Sequence, residues 1–324
     1  MTGQTNANGS TVTNTYDSAN RTTETKHKNS TGTTLADYQY SYDGVNNVTT
    51  RTDTDGTVTT FGYEATDQLT SESRGGTTGN YSISYTYDHN QNRKTKVLNG
   101  VTDTYTYDAH DHLTSTSSKT YTYDANGNCK TVVSGTSTTT LTYDDENRVT
   151  GITYPSSATN SFAYNGLGLR VSKNDSAGAF AYVCDGTAAA SAVLKDGAAT
   201  YTPGLSERRG STSKFTHKDA LGSTRGITDA SQSVTDSILF DAFGMTVSRT
   251  GTTPTPFGFV GGAQYQTDAD SGLMLLGHRY YDSSIGRFIS EDPIQAGENW
   301  YAYCENNPLV RADPKGTNFW TWLL

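Results

Sequence analysis

The chain has 324 residues, of which 33% are hydrophobic and only 18% charged, with 56 Thr, 32 Gly and 22 Tyr. Thr and Tyr favour strands while Gly, Asn and Asp favour turns, so this composition excludes a helical protein and predicts an all-β one. A net charge of −9 with 11% aromatics argues against disorder, and without a Lys/Arg cluster it excludes nucleic acid as the main partner.

The first half repeats itself. The unit runs Thr15-Tyr-Asp-Ser-Ala-Asn-Arg21, then recurs with its tyrosine at Tyr42, Tyr63, Tyr87, Tyr107, Tyr123, Tyr143 and Tyr164, at spacings of 16 to 26 residues from Tyr16 onward. Before each Tyr-Asp the chain alternates large residues with Thr, as in Tyr105-Thr106-Tyr107 and Leu141-Thr142-Tyr143, which predicts half-buried strands. The Asp and the Asn/Gly cluster behind it supply an Asx-turn and a left-handed residue, reversing the chain into a hairpin. One hairpin cannot bury its own face, so stacked units are expected to form a long, twisted antiparallel sheet. The eight tyrosines therefore read as structural anchors and the aspartates as turn caps.

After about Asn174 the repeats fade, and six of the seven prolines lie beyond residue 200. Four blocks stand out there. They are His217-Lys-Asp-Ala-Leu-Gly-Ser-Thr-Arg225, Phe240-Asp-Ala-Phe-Gly244, the long run from Gly272 through Arg279-Tyr-Tyr-Asp282 and Gly286-Arg-Phe288 to Asp292-Pro-Ile294, and Trp300-Tyr-Ala-Tyr303 leading to Asp313-Pro-Lys-Gly316. Cys129, Cys184 and Cys304 are far apart and odd in number, so they form neither a disulfide framework nor a zinc set, and no metal or cofactor is expected. His110-Asp111-His112 reads as a solvated repeat turn rather than a metal site. Gly166-Leu-Gly-Leu169 reads as a repeat turn rather than a phosphate cradle, and Asp268-Ala-Asp270 lacks the ligand spacing of a calcium loop.

These four blocks resemble the Rhs-associated core domain that closes Rhs/YD-repeat proteins, a family of polymorphic toxins, C components of insecticidal toxin complexes and, more distantly, teneurins. The resemblance covers roughly residues 10 to 317. It implies a partial spiral β-shell of YD repeats over 1–173, a mixed, mostly β, core domain over 174–317 that closes it, and a short apolar tail over 318–324 where C-terminal cargo would stand. It further implies aspartyl self-cleavage just after the DPxG motif. Carried over residue by residue, Arg279, Asp292 and Asp313 are the catalytic set and Thr317-Asn318 the scissile bond.

Two carboxylates held close can divide acid and base roles, with an arginine stabilising charge. Asp-Pro is equally a common turn opener, and Arg-carboxylate pairs are usually structural. Thr317 departs from the hydrophobic residue usual in the family, and eight repeats are fewer than a closed cage takes. The expected partner is a C-terminal toxin belonging to a parent system, absent from this chain. The alternatives are a glycan-binding or adhesion module built on the Thr/Tyr-rich sheet, and a silent recombination reservoir. Exposed sheet edges also predict self-association. No apolar run is long enough to span a membrane. The start shows no Sec leader, so a secreted or surface location is expected through a non-Sec route or a longer parent chain.

Overall fold

Alternation decides where the strands lie. In the strand Tyr81–Tyr87, Tyr81, Ile83 and Tyr85 are buried while Ser82, Ser84 and Thr86 are exposed, the two-residue period of a sheet with one covered face. The computed structural model describes residues 2–76, 79–317 and 320–321. Among them the regular structure is strands and two short 3-10 turns, with no α-helix.

Strands follow one another in chain order through three antiparallel sheets, of ten strands over Thr2–Thr104, nine over Thr106–Ala181 and eight over Val183–Thr250. The sheets are segments of one strip. At the two breaks Tyr105 N–H donates to the Lys94 carbonyl and Tyr182 N–H to that of Val171, each at 2.9 Å, carrying the ladder across. The register shifts immediately before every one of the eight repeat tyrosines. Such bulges increase right-handed twist, and the strip coils.

Each repeat turn closes through the same backbone bond, and most add a side-chain cap, as at Asp43. Asp43 N–H donates to the Asn47 carbonyl (3.0 Å), Asp43 Oδ1 accepts from Val45 N–H (3.0 Å) and Asn47 N–H (2.8 Å), and Asn46 takes φ 75°. The tyrosines tie one unit to the next. Tyr42, Tyr63, Tyr87, Tyr107, Tyr143 and Tyr164 donate their hydroxyls to the carbonyls of Thr22, Val48, Leu69, Arg93, Cys129 and Val149, at 2.6 to 2.9 Å. Every acceptor is the residue six positions past the preceding repeat tyrosine, so the hydroxyl stitches at a constant stride. Tyr16, on the outermost hairpin, is 37% exposed.

The third sheet meets the first across sequence separations of 170 to 202 residues, one turn of the coil. Glu72 Oε2 accepts from Ala242 N–H at 2.8 Å, Arg225 Nη2 lies 3.2 Å from Asp53 Oδ2, His27 Nε2 lies 2.8 Å from the Lys218 carbonyl, and Gln232 Oε1 accepts from Ser30 N–H at 2.9 Å. The sheets do not close into a barrel.

The expected division at 173/174 falls inside the strand Arg170–Asp175, and the strip continues to Thr250. There the turns at Asp219, Asp229 and Asp241 repeat the YD geometry, each Asp N–H donating four residues ahead at 2.9 to 3.0 Å. Lys218, Thr228 and Phe240 stand where the tyrosine would be, which hid these units from the repeat pattern.

After Thr250 the chain turns inward. A four-stranded sheet over Gln266–Thr267, Met274–Leu276, Arg279–Asp282 and Arg287–Phe288 is buried on both faces. Met274, Leu276, Tyr281 and Phe288 join a core with Val48, Leu69, Ile83 and Tyr85 of the first sheet. Leu275, Tyr280 and Ile289 join one with Leu113, Leu141 and Ile152 of the second. That explains why this block reads as a continuous apolar run where the strip alternates. The sequence therefore builds an all-β coiled strip around an inner plug.

Candidate active site

The plug brings three sequence-predicted residues together. Arg279 opens the strand Arg279–Asp282 with its guanidinium 3.5 Å from the centre of the Phe288 ring. Its Nη2 lies 3.3 Å from Asp313 Oδ2 and 3.6 Å from Asp292 Oδ2, so both carboxylates converge on one nitrogen. Nη1 donates to the Trp300 carbonyl at 2.7 Å and Nε to the Gly316 carbonyl. All three side chains are buried.

Each aspartate is set by its own turn. Asp292 Oδ1 accepts from Ile294 N–H at 3.0 Å, and Asp292 N–H donates to the Trp300 carbonyl at 3.1 Å. Asp313 N–H donates to the Tyr265 hydroxyl at 2.6 Å, while Asp313 Oδ1 accepts from Thr317 N–H at 3.1 Å. The Asp313-Pro-Lys-Gly316 turn lies against the hairpin turn at Gly277, where His278 N–H donates to the Lys315 carbonyl at 2.9 Å. Gly316 has φ 64°, and a Cβ there would run into the Leu276 carbonyl oxygen. Only glycine lets the chain lie this close just before Thr317.

Burial dominates the electrostatics. It raises the Asp292 carboxyl above its ordinary value, against the pull of Arg279 and with a further push from Asp313. It also presses the Arg279 guanidinium below its ordinary value, despite both aspartates. The two shifts agree in sense: desolvation outweighs pairing here. A cavity of about 270 Å³ adjoins the site, lined by Arg279, Asp292, Asp313, Trp300 and Cys304 from the plug and Gln91 from the first sheet.

Thr317 therefore sits at the Asp313 carboxylate, while Asn318 and the tail positions 318, 319 and 322–324 lie outside the described residues. Trp320–Thr321 pairs antiparallel with Arg311–Ala312. The eight repeat tyrosines stand along the strip as anchors, none of them among the cavity's lining residues. Sequence reasoning missed the Trp300 and Gly316 carbonyls and the Tyr265 hydroxyl. Carbonyls carry no residue signature, and Tyr265 is one tyrosine among many. The three cysteines are free, with Cys129 and Cys304 buried.

A coiled strip of Tyr-Asp hairpins wound about an inner plug defines a β-shell protein. Residues 42–78 match the RHS Repeat family and residues 94–196 the Teneurin YD-shell family. Over 116 residues the chain is 33% identical to the tRNA3(Ser)-specific nuclease WapA of Bacillus spizizenii, covering 34% of this chain and 5% of that protein. Over 110 residues it is 34% identical to the Double-stranded DNA deaminase toxin A of Burkholderia cenocepacia, covering 31% of this chain and 7% of that one. The fold matches a chain in the structure of the Photorhabdus luminescens Tc holotoxin pore with TM-score 0.79 at 19% identity, over 96% of this chain and 18% of that one. The chain thus carries repeats of the Rhs/YD type, and it spans a small fraction of the length of these relatives.

Proposed function

We propose that this chain is a shell segment of a toxin-encapsulation system, made for export with a C-terminal cargo, and that its plug cuts its own backbone after Thr317. In this reading the tyrosine-marked repeats fill residues 1–173, the Rhs core fills 174–317 and takes in the last turns of the same strip, and 318–324 mark the cargo position. The observation that carries it is the convergence of Asp292, Asp313 and the Gly316 carbonyl on Arg279, one residue before the scissile bond. The toxin and nuclease names of the relatives support a toxic cargo.

Hydrolysis adds one water across the Thr317-Asn318 peptide. Asp313, as the carboxylate beside Thr317, takes a proton from that water while its oxygen bonds to the Thr317 carbonyl carbon. Asp292, kept protonated more readily by burial, gives its proton to the departing Asn318 nitrogen. Arg279 holds the two carboxylates in place and fixes the approach of the chain through the Gly316 carbonyl.

Intact mass spectrometry of the purified protein tests this. The expected result is loss of residues 318–324 in wild type and full length in Asp292→Asn and Asp313→Asn, with unchanged circular dichroism. Full-length wild type, or equal cleavage in all three, overturns the catalytic assignment.

A further inference from the structure

The turn between the strands Thr106–Tyr107 and Leu113–Ser115 gathers groups that the other repeat turns lack. One ligand atom each from Asp108, His110 and His112 lie within 4.8 Å of one another. The rings of His110 and His112 stack at 5.7 Å between centroids and 26° between planes, and His112 stacks in turn on Tyr123 at 4.4 Å. Asp111, which the sequence places between the two histidines, is engaged elsewhere: its Oδ1 accepts from Asn90 Nδ2 at 3.1 Å and Asn92 Nδ2 at 2.6 Å. The acid of the cluster is Asp108. Its Oδ1 caps the turn through the N–H groups of His110 (2.9 Å) and His112 (3.0 Å), while Oδ2 meets His112 Nδ1 at 2.8 Å.

We propose that Asp108, His110 and His112 bind one divalent transition-metal ion of the zinc type. Two imidazoles and a carboxylate are a common zinc donor set, with a fourth position left for water. The other nitrogen of His112 supplies an independent sign. His112 Nε2 is buried with no hydrogen-bond partner among the described residues, and it faces Glu291 Oε1 at 4.0 Å. When Nδ1–H donates to Asp108, Nε2 presents a bare lone pair towards a carboxylate, an unsatisfied arrangement. A metal at Nδ1 displaces that proton and leaves the ring N–H on Nε2, directed at Glu291. Closing the 4.0 Å gap to hydrogen-bond distance would complete the carboxylate-histidine-metal relay that orients ligating imidazoles. Occupancy would thus be felt at Glu291, beside Asp292, although the site stands apart from the cleavage chemistry.

The repeat itself supplies a variant that removes the ligand and keeps the turn. At the position of His112, sibling turns carry Asn47 and Asn128, whose Nδ2 donates to the turn aspartate at 3.1 and 3.0 Å. His112→Asn should therefore fold with the Asp108 bond intact, and His110→Ala removes an exposed ring. Isothermal titration of chelator-treated full chain with zinc chloride is expected to show one equivalent bound. Affinity should fall by about ten-fold or more in each variant, with melting temperatures in the absence of metal close to wild type. No heat of binding up to about 100 μM zinc, some 5 kcal/mol of affinity, or equal affinity in all three proteins, overturns the site.

Discussion

The seam between the first and third sheets should be sensitive to acid through His27 and His217. Their Nδ1 atoms lie 3.2 Å apart, and the rings are 4% and 1% exposed. His27 Nε2 faces the Lys218 carbonyl at 2.8 Å and so carries the hydrogen, leaving its Nδ1 to accept from His217 Nδ1–H. His217 Nε2 then accepts from the Thr228 hydroxyl at 2.9 Å. A second proton on His27 would point straight at the N–H of His217. The charges that bear on the pair are the Lys218 ammonium on His27 and the His27 imidazole on His217, with no carboxylate among them. Burial lowers His27 to about 4 from the ordinary 6.5, against the Lys218 carbonyl bond and helped by the Lys218 charge, and burial with the His27 charge lowers His217 to about 3. Because both folded values lie below the unfolded one, the unfolded chain takes up protons first. Stability is fully present above pH 6.5 and is lost as pH falls towards those values. Between pH 7 and pH 5 each site removes about 2 kcal/mol, about 4 kcal/mol for the pair, and this holds wherever the folded values lie at about 4 or below. Urea unfolding at both pH values checks it against the double variant His27→Gln, His217→Gln. The variant starts less stable at pH 7 through lost packing, yet its further loss on acidification should be smaller than wild type's by about 4 kcal/mol. An identical pH dependence in the two proteins would refute the reasoning.

Tyr143→Phe removes the hydroxyl that donates to the Cys129 carbonyl and should cost about 1 kcal/mol, visible as a lower thermal midpoint; an unchanged midpoint would mean that the stitch carries no stability. Arg170→Ala leaves the buried Asp268 carboxylate, now 2.7 Å from Arg170 Nη1, with only the Lys173 ammonium 4.0 Å away, and should cost about 3 kcal/mol. Adding Asp268→Asn should recover part of that loss in the same urea assay. Gly316→Ala forces a Cβ into the Leu276 carbonyl at positive φ and should lower the melting temperature by several degrees, about 1–3 kcal/mol. It should also abolish the release of residues 318–324; cleavage at the wild-type rate would show that the turn does not set the site.

The repeats were legible because every turn solves the same local problem with the same residues. In most turns a side-chain oxygen takes the N–H groups two and four positions on, and the third residue after it sits left-handed, so Asp and Asn or Gly recur at these offsets, with Glu64, Asp67, Gln91 and Asp111 as departures. Tyrosine was a less dependable guide than the aspartate. It marks the stitch to the neighbouring unit, and where Lys218, Thr228 and Phe240 replace it the unit still folds. Asp219 with Gly222, Asp229 with Gln232 and Asp241 with Gly244 keep the turn, each pair ending in a positive φ. Following the aspartates would have carried the strip to Thr250. In the site, the charged residues were legible from motif spacing, while the cradle was not. Arg279 is held as much by the Trp300 and Gly316 carbonyls as by the aspartates, and which carbonyl faces a side chain is decided by tertiary packing. The Asp108–His112 bond was hidden for another reason. Read along the chain, Asp111 is the nearest acid to both histidines, yet the turn directs it to Asn90 and Asn92.

A strip that alternates large and small residues buries one face only, and without an interior it would expose a tyrosine-lined sheet. The plug answers this by giving alternate residues to opposite sides, with Leu275 and Tyr280 towards the second sheet and Leu276 and Tyr281 towards the first. Shell and plug are thus one folding problem, and the site inherits the dependence. Asn299 Nδ2 donates to Asn92 Oδ1 at 2.6 Å and to the Asn90 carbonyl at 2.8 Å, while Asn306 Nδ2 donates to the Gln91 carbonyl at 2.9 Å. These bonds clamp the loop that follows Asp292 onto a repeat turn and bring Gln91 into the wall of the cavity beside Arg279. Asp292 and Asp313 come from segments with no regular pairing to each other, and the bonds of Asn299 and Asn306 to the repeat turn tie the loop between them to the strip. A chain whose strip has not coiled lacks that wall and that clamp. On the proposed cleavage, chemistry at Thr317 would then follow completion of the shell.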